Sequence, residues 1–302
     1  MNVKVRNYSG KKDFQAISDF LMANYQPDNA DGNWLEPRWE YMHFRSDIIG
    51  KIETHKICIW EDNNKIVGAA HPEEFAGELF LQIHPEYGFL KIEMLDYAEK
   101  TLFGIDKQGK KFIMVFVYDT DEELVDIVKH RGYQPIAHTQ DDYLSQYYIP
   151  EIFPEIQLPD GFKLKSVQEE NKPEKVQRLL WRGFDHPGEP SAEQASVWET
   201  IQAAPNYRRE TNIIVEAPNS DYAAYCGLWY VPENRYGYVE PVATDPNYRK
   251  SGLGRAAVLE GIRRCGLLGA KVVYVTTGIV FYRHIGFKRI RSNHRWRKEI
   301  KC

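Results

Sequence analysis

The strongest constraint on what this chain can fold into is that it repeats itself. His84-Pro85-Glu86-Tyr87 is answered by Asp245-Pro246-Asn247-Tyr248, each just before a glycine and a long helical pattern. Arg131-Gly132-Tyr133 is answered by Ile285-Gly286-Phe287, each where the next helical pattern ends and a strand begins. The two matches come in the same order within the same succession of elements, which points to a tandem duplication. Between the copies, residues 149–159 carry Pro150, Pro154 and Pro159 and break every period, so they read as a linker. The expected organisation is a first domain over 1–148, a linker over 149–160 and a second domain over 161–302. A length of 302 residues suits two domains of about 150 each.

Within each copy the pattern is α/β. In the first, a strand at 2–7 leads to a helix at 11–25 with Phe14, Ile17, Phe20 and Leu21 on one stripe. A second helix is expected at 36–45, then a hairpin turning through Asp62-Asn63-Asn64, and strands at 79–83 and 111–117. A helix opens near Phe89, and another at 121–131 is stopped by Gly132. The second copy repeats this order: a strand at 161–166, helices at 175–184 and 192–203, and a hairpin around Pro218-Asn219-Ser220. A strand at 236–244, a helix at 253–268, a strand at 271–275 and a short helix at 279–284 follow. Strand character over 287–296 closes the second domain. Each copy is therefore expected to be an α/β domain of strands and helices in the same order.

Composition narrows the function. A net charge of −4 provides no overall basic field to attract nucleic acid. The four cysteines are widely spaced, with no CxxC pair and no histidine at zinc-ligand spacing, which suits reduced cytosolic thiols and predicts no metal site. The first fifteen residues lack the apolar core of a signal peptide, and no apolar run reaches the ~18 residues that span a bilayer. The expectation is a cytoplasmic protein, monomer or homodimer, that engages neither membrane nor nucleic acid.

Chemistry concentrates in one segment. The strand ending in Val242-Ala243-Thr244 runs through Asp245-Pro246-Asn247-Tyr248 into Arg249-Lys250-Ser251-Gly252-Leu253-Gly254-Arg255 and directly onto an amphipathic helix. Glycine lets backbone approach a ligand closely and reach positive φ. The first amides of a helix have no internal partner and carry the positive end of its dipole. A pyrophosphate can therefore lie across the amides from Lys250 to Arg255, helped by the charges of Arg249, Lys250 and Arg255. The spacing is not that of a Walker loop. Nor is it a Rossmann fingerprint, since Ala257 stands where the third glycine would be.

Arg249-Lys250-Ser251-Gly252-Leu253-Gly254 resembles the R/Q-x-x-G-x-G/A signature of the GNAT (Gcn5-related N-acetyltransferase) superfamily. Phe281-Tyr282-Arg283-His284-Ile285-Gly286-Phe287 resembles that family's second motif, in which an aromatic-tyrosine pair precedes Gly-Phe. The resemblance covers roughly residues 160–302. It implies two tandem domains, each a twisted mixed sheet flanked by helices, the sheet splayed between its fourth and fifth strands with acetyl-CoA in the opening, and transfer of the acetyl group to a primary amine by direct attack in a ternary complex. It further implies that backbone groups at Val242, Ala243 and Thr244 meet the pantetheine arm, and that Tyr282 is the general acid for the leaving thiolate. Glu240, on the strand leading into the turn, is the candidate base, with Tyr238 and Glu216 as substitutes or holders of a water. The asparagine often found after the fifth strand is replaced by Thr276-Thr277-Gly278.

The first copy departs from this pattern. After Tyr87 it has only Gly88-Phe89-Leu90, without the basic residue or the second glycine, and Val128-Lys129-His130 stands where an acid tyrosine would be. It reads as a degenerate copy that has lost its cofactor. The acceptor, a small molecule or peptide amine, lies beyond the motifs. His186 sits where acceptor pockets are built but reads more simply as a solvated loop residue. Trp181, Trp198 and Trp229 read as packing, and the basic run Arg289, Arg291, Arg295, Arg297, Lys298 and Lys301 as a solvated edge strand. Cys226 and Cys265 lack a paired base, which argues against a covalent thiol route. The alternative to an enzyme is a non-catalytic acyl-CoA-binding or regulatory module.

Overall fold

A computed structural model describes residues 2–137, 139 and 142–300. In chain order the elements are β1 (Val3–Asn7), α1 (Lys11–Asn24), α2 (Glu36–Phe44), α3 (Ser46–Ile49), β2 (Cys58–Asp62), β3 (Lys65–His71), β4 (Glu78–Ile83), α4 (Lys91–Thr101), β5 (Gly104–Ile105), β6 (Lys111–Tyr118), α5 (Glu122–His130) and β7 (Gln134–Pro135). They continue as β8 (Tyr143–Tyr148), β9 (Lys163–Ser166), α6 (Pro173–Gly183), α7 (Ala192–Ile201), β10 (Ile213–Glu216), β11 (Tyr222–Val231), β12 (Tyr236–Thr244), α8 (Leu253–Leu267), β13 (Val272–Val275), α9 (Val280–Ile285) and β14 (Lys288–Glu299). Local chemistry sets several boundaries. The Asp121 side chain accepts the Leu124 amide to cap α5, Pro173 opens α6, and Ser191 and Gln194 form a reciprocal capping box at α7.

The chain forms two compact units. One comprises residues up to His43, Ile48–Leu144 and the segment from Arg289 onward; the other comprises Phe44–Asp47 and Ser145–Lys288. In the first unit β1, β2, β3 and β4 pair antiparallel in sequence order, β4 pairs parallel with β6, and β6 pairs antiparallel with β14. In the second, β9, β10, β11 and β12 pair antiparallel, β12 pairs parallel with β13, and β13 pairs antiparallel with β8. The two sheets share one plan: four antiparallel strands, a parallel fifth and an antiparallel closing strand.

The origin of the closing strands differs from the expectation that 287–296 completes the second copy. β14 runs against β6, with Asn293 opposite Tyr118 and Glu299 opposite Phe112. The second unit is closed by β8, which precedes it in the chain. Periodicity marked 287–296 as a strand but carries no information about its partner. Its contacts lie in the first unit: Trp296 is buried in that core with Ile300 packed on it, and Arg295 pairs with Asp142, Arg297 with Asp106 and Lys298 with Glu99. Arg295, Arg297 and Lys298 thus sit on a paired strand with their charges met by carboxylates rather than on a solvated edge, and Lys301 lies outside the described residues. The proline-rich segment has no regular structure, yet Ile149, Phe153, Ile156 and Leu158 pack on the core of the second unit.

In the second unit α8 covers one face of the sheet, burying Leu253, Ala257, Val258 and Ile262 against Cys226, Leu228, Val239 and Val273. The other face carries α6 and an aromatic layer in which Trp198, Tyr207, Tyr225 and Trp229 meet edge to face at 5.2–6.5 Å. Trp198 and Trp229 are therefore core residues as expected, whereas Trp181 is half-buried and stacks on the exposed His186 at 4.4 Å.

Candidate active site of the second unit

The site begins where two parallel strands part. β12 and β13 pair only from Tyr236↔Val272 to Tyr238↔Tyr274. Beyond that point β12 continues to Thr244 with β11 as its only ladder partner among the described residues, and β13 ends at Val275. The β13-facing edge of residues 239–244 thus presents backbone groups without a strand to satisfy them. A β-bulge opposite Gly227 lies at the opening: a Cβ there would come within 2.3 Å of the Glu240 carbonyl oxygen, so only glycine fits.

The end of β12 leads into the turn. Asp245 caps a short 3-10 turn by accepting the Asn247 amide and pairs with Arg182 of α6, which pins the loop. Lys250 and Gly252 both have positive φ, 65° and 78°. Alternating left-handed residues turn successive amides to one side, a geometry that makes an anion-binding concavity. Gly252 is the N-cap of α8, and a Cβ on it would meet nothing within 4 Å, so the space in front of the helix end is open. At Gly254 the opposite holds, since a Cβ would lie 2.9 Å from Thr244 Oγ1 and would have to displace that hydroxyl. The result is a cleft of about 380 Å³ lined by Thr244, Lys250, Gly252, Gly254, Arg255 and Phe281, among others.

The residues singled out from sequence divide within this geometry. Lys250, Ser251 and Arg255 are exposed around the open helix end. Leu253 is 1 % exposed and buried in the core, so it offers only its backbone. Val242 packs toward α8, Ala243 is buried, and Thr244 lines the cleft. Arg249 lines the cleft too, but its guanidinium donates to the carbonyls of Thr244 and Gly183 and to Asp185, which makes it an anchor of the loop.

Tyr282 sits in α9, whose C-terminus turns at Gly286. Its ring is wedged between Phe281 at 5.0 Å and Phe287 at 5.3 Å, and among the described residues its hydroxyl makes no hydrogen bond. Burial first, then the Cys226 thiol and the Glu240 carboxylate, raise this phenol well above its ordinary range. Tyr282 and Glu240 therefore feel one another electrostatically. Glu240 accepts a hydrogen bond of 2.9 Å from Tyr238, whose hydroxyl also lies 2.9 Å from Thr276 Oγ1. Tyr238 thus bridges the two arms of the split, from β12 to the segment just past β13. Sequence offered Tyr238 only as a substitute base or holder of a water; its bonds to Glu240 and toward Thr276 come from the fold. Glu216 lies two strands away on β10 and is held by Lys165 at 2.6 Å. Cys226 and Cys265 are fully buried with thiols pushed up by burial, so neither offers a nucleophile. Among the described residues no cluster suited to a metal ion is found.

Comparison with known proteins agrees with this geometry. Residues 174–287 match the Acetyltransferase (GNAT) family. No curated protein matches the sequence. Among solved structures, the chain is similar to a GCN5-related N-acetyltransferase from Sphaerobacter thermophilus, with a TM-score of 0.64 at 13% identity, covering 99% of this chain and 96% of that one. It is equally similar to a tandem GNAT protein from the clavulanic acid biosynthesis pathway, with a TM-score of 0.64 at 11% identity and coverage of 100% and 99%. A GNAT-family acetyltransferase from Colwellia psychrerythraea matches over 100% of both chains at 11% identity and a TM-score of 0.58. At such identities the likeness is one of fold, and it extends over both units.

Proposed function

We propose, for a chain that belongs to the GNAT family through residues 174–287, that its second unit transfers an acetyl group from acetyl-CoA to a primary amine. The observation that carries this reading is the split itself: the free edge of β12 leads through one short 3-10 turn into the left-handed turn at Lys250 and Gly252 and the open end of α8. A strand edge pairs with an extended amide-bearing arm as it would with another strand. A helix end with room before it takes phosphates, and Lys250 and Arg255 add charge. The cosubstrate supplies an acyl thioester, and an amide of 242–244 is placed to polarise a carbonyl lying along that edge.

The chain's own part in the chemistry is proton management. An amine is protonated at neutral pH, and Glu240 at the mouth of the split is the group to accept that proton, directly or through water held by Tyr238 and Thr276. Tyr282 donates to the departing thiolate. The two are coupled, because the charge on Glu240 helps to hold the Tyr282 phenol up. Once Glu240 has taken a proton that contribution disappears, and Tyr282 becomes a stronger acid when its proton is needed. Direct attack is supported by the burial of both nearby thiols. The test is release of CoA thiol from acetyl-CoA across a panel of primary amines. Turnover that is lost in Tyr282→Phe supports the reading; cofactor binding with no turnover on any amine would make the second unit a binding module instead.

A further inference from the structure

The first unit has a split of its own. β4 and β6 pair in parallel only at Glu78↔Met114 and Leu79↔Val115, after which β4 runs on to Ile83 and β6 to Tyr118. Asn33 takes the place of a strand neighbour, donating to the Ile83 carbonyl at 3.1 Å and accepting the Ile83 amide at 2.6 Å. Between the arms lies a cavity of about 240 Å³, lined by Asp31, Trp34, Gln82, Tyr118, Arg291 and Asn293, among others.

The phosphate cradle of the second unit has no counterpart here. No residue from His84 to Lys91 has positive φ. Lys91, at the start of α4, is held by Asp121 and Glu123 at 2.7 and 2.8 Å. A Glu123 carboxylate oxygen lies 3.6 Å from where a Cβ on Gly88 would stand. Carboxylates occupy the ground that phosphates would need, so this opening repels a nucleotide.

What it retains is a set of donors without acceptors. Trp34 is 5 % exposed, and its buried Nε1–H has no acceptor among the described residues. The Arg291 guanidinium stacks on Tyr118 at 5.0 Å and reaches the Asp28 carbonyl at 3.4 Å, while its buried Nε has no acceptor among the described residues. Indole and guanidinium nitrogens can only donate, so the missing partner must be an acceptor. A planar carboxylate supplies two acceptor oxygens and matches guanidinium geometry. Asp31 borders the same cavity, and burial raises its carboxyl pKa. Together with Asp121 and Glu123 it disfavours a dianion while tolerating a single charge. The volume corresponds to a small metabolite, being under the ~300 Å³ at which drug-sized sites begin.

We propose that the split of the first unit binds a small carboxylate through Trp34 Nε1 and the Arg291 guanidinium. The test follows the seven tryptophan indole N–H signals of the full chain by NMR while acetate, L-glutamate or inorganic phosphate is added to millimolar levels at constant ionic strength. The signal absent from Trp34→Phe should move downfield and saturate with acetate or glutamate, should stay in place with phosphate, and should need about tenfold more carboxylate in Arg291→Lys. Glutamate binding more tightly than acetate would mark a zwitterion whose ammonium faces Asp31. If Trp34→Phe fails to fold, a saturable rise of the wild-type melting temperature with carboxylate, absent in Arg291→Lys, reads the same contact. A Trp34 signal unmoved by either carboxylate, moved equally by phosphate, or moved equally in Arg291→Lys would overturn the proposal. So would a melting temperature unchanged by carboxylate.

Discussion

Replacing Tyr282 with phenylalanine removes one oxygen from a ring whose packing against Phe281 and Phe287 is otherwise preserved. The hydroxyl has no hydrogen-bond partner among the described residues, so its loss strands no other polar group. Stability should change by less than about 1 kcal/mol, or a few degrees in Tm at this size. Removing a general acid costs about 10²–10⁴ in rate. At 1.36 kcal/mol per tenfold that is about 2.7–5.4 kcal/mol of the barrier. The assay is continuous thiol release at saturating amine, with kcat and KM for acetyl-CoA taken separately. The whole loss should fall in kcat, with KM within about threefold, because the hydroxyl engages the sulfur only as the thiolate departs. Burial, Cys226 and Glu240 all raise this phenol, so it stays protonated through pH 10 and its deprotonation adds no falling limb below that pH. A Tyr282→Phe enzyme with kcat within about threefold of wild type would refute the reasoning.

Other perturbations probe neighbouring parts of the site. Glu240→Gln should lower kcat by about 10²-fold at pH 7, and the deficit should shrink toward pH 10, where a primary amine of pKa about 10.4 deprotonates without help; a pH-independent deficit would contradict the base role. Gly254→Ala places a Cβ 2.9 Å from Thr244 Oγ1, so KM for acetyl-CoA should rise several-fold, and an unchanged KM would show that the helix end does not hold it. Arg182→Met leaves the buried Asp245 carboxylate without its cation, which should cost about 1–3 kcal/mol and lower Tm by a few degrees in a melting experiment.

Much of this architecture was legible because it rests on local chemistry. The strand into Thr244, the glycines at 252 and 254, and the helix that follows are adjacent in the chain, so the turn could be read as a turn. The strand after that helix was marked by its apolar run Val272-Val273-Tyr274-Val275, and the helix of Tyr282 by Gly286 after it. What sequence did not carry was partnership over distance. β14 alternates as a strand should, but what it meets in the first unit, the core around Trp296 and Ile300 and the carboxylates Asp106, Asp142 and Glu99, is distant in sequence. β8 was not foreseen, since its run Tyr143-Leu144-Ser145-Gln146-Tyr147-Tyr148 lacks the aliphatic character of a central strand. Arg249 matched the family signature, yet its guanidinium turns to Gly183 and Asp185, a choice made by the loop after α6. The donors of Trp34 and Arg291 lie 257 residues apart and meet only in the folded sheet.

The proposed function rests on one acetyl-CoA site per chain, expected at the open end of α8. Isothermal titration of the full chain with CoA tests it most directly. One molecule should bind per chain, with affinity lost on charge reversal at Lys250 and Arg255 and kept in Lys91→Ala, whose position in the first unit faces Asp121 and Glu123. Two sites, no binding, or loss of binding in Lys91→Ala would contradict it.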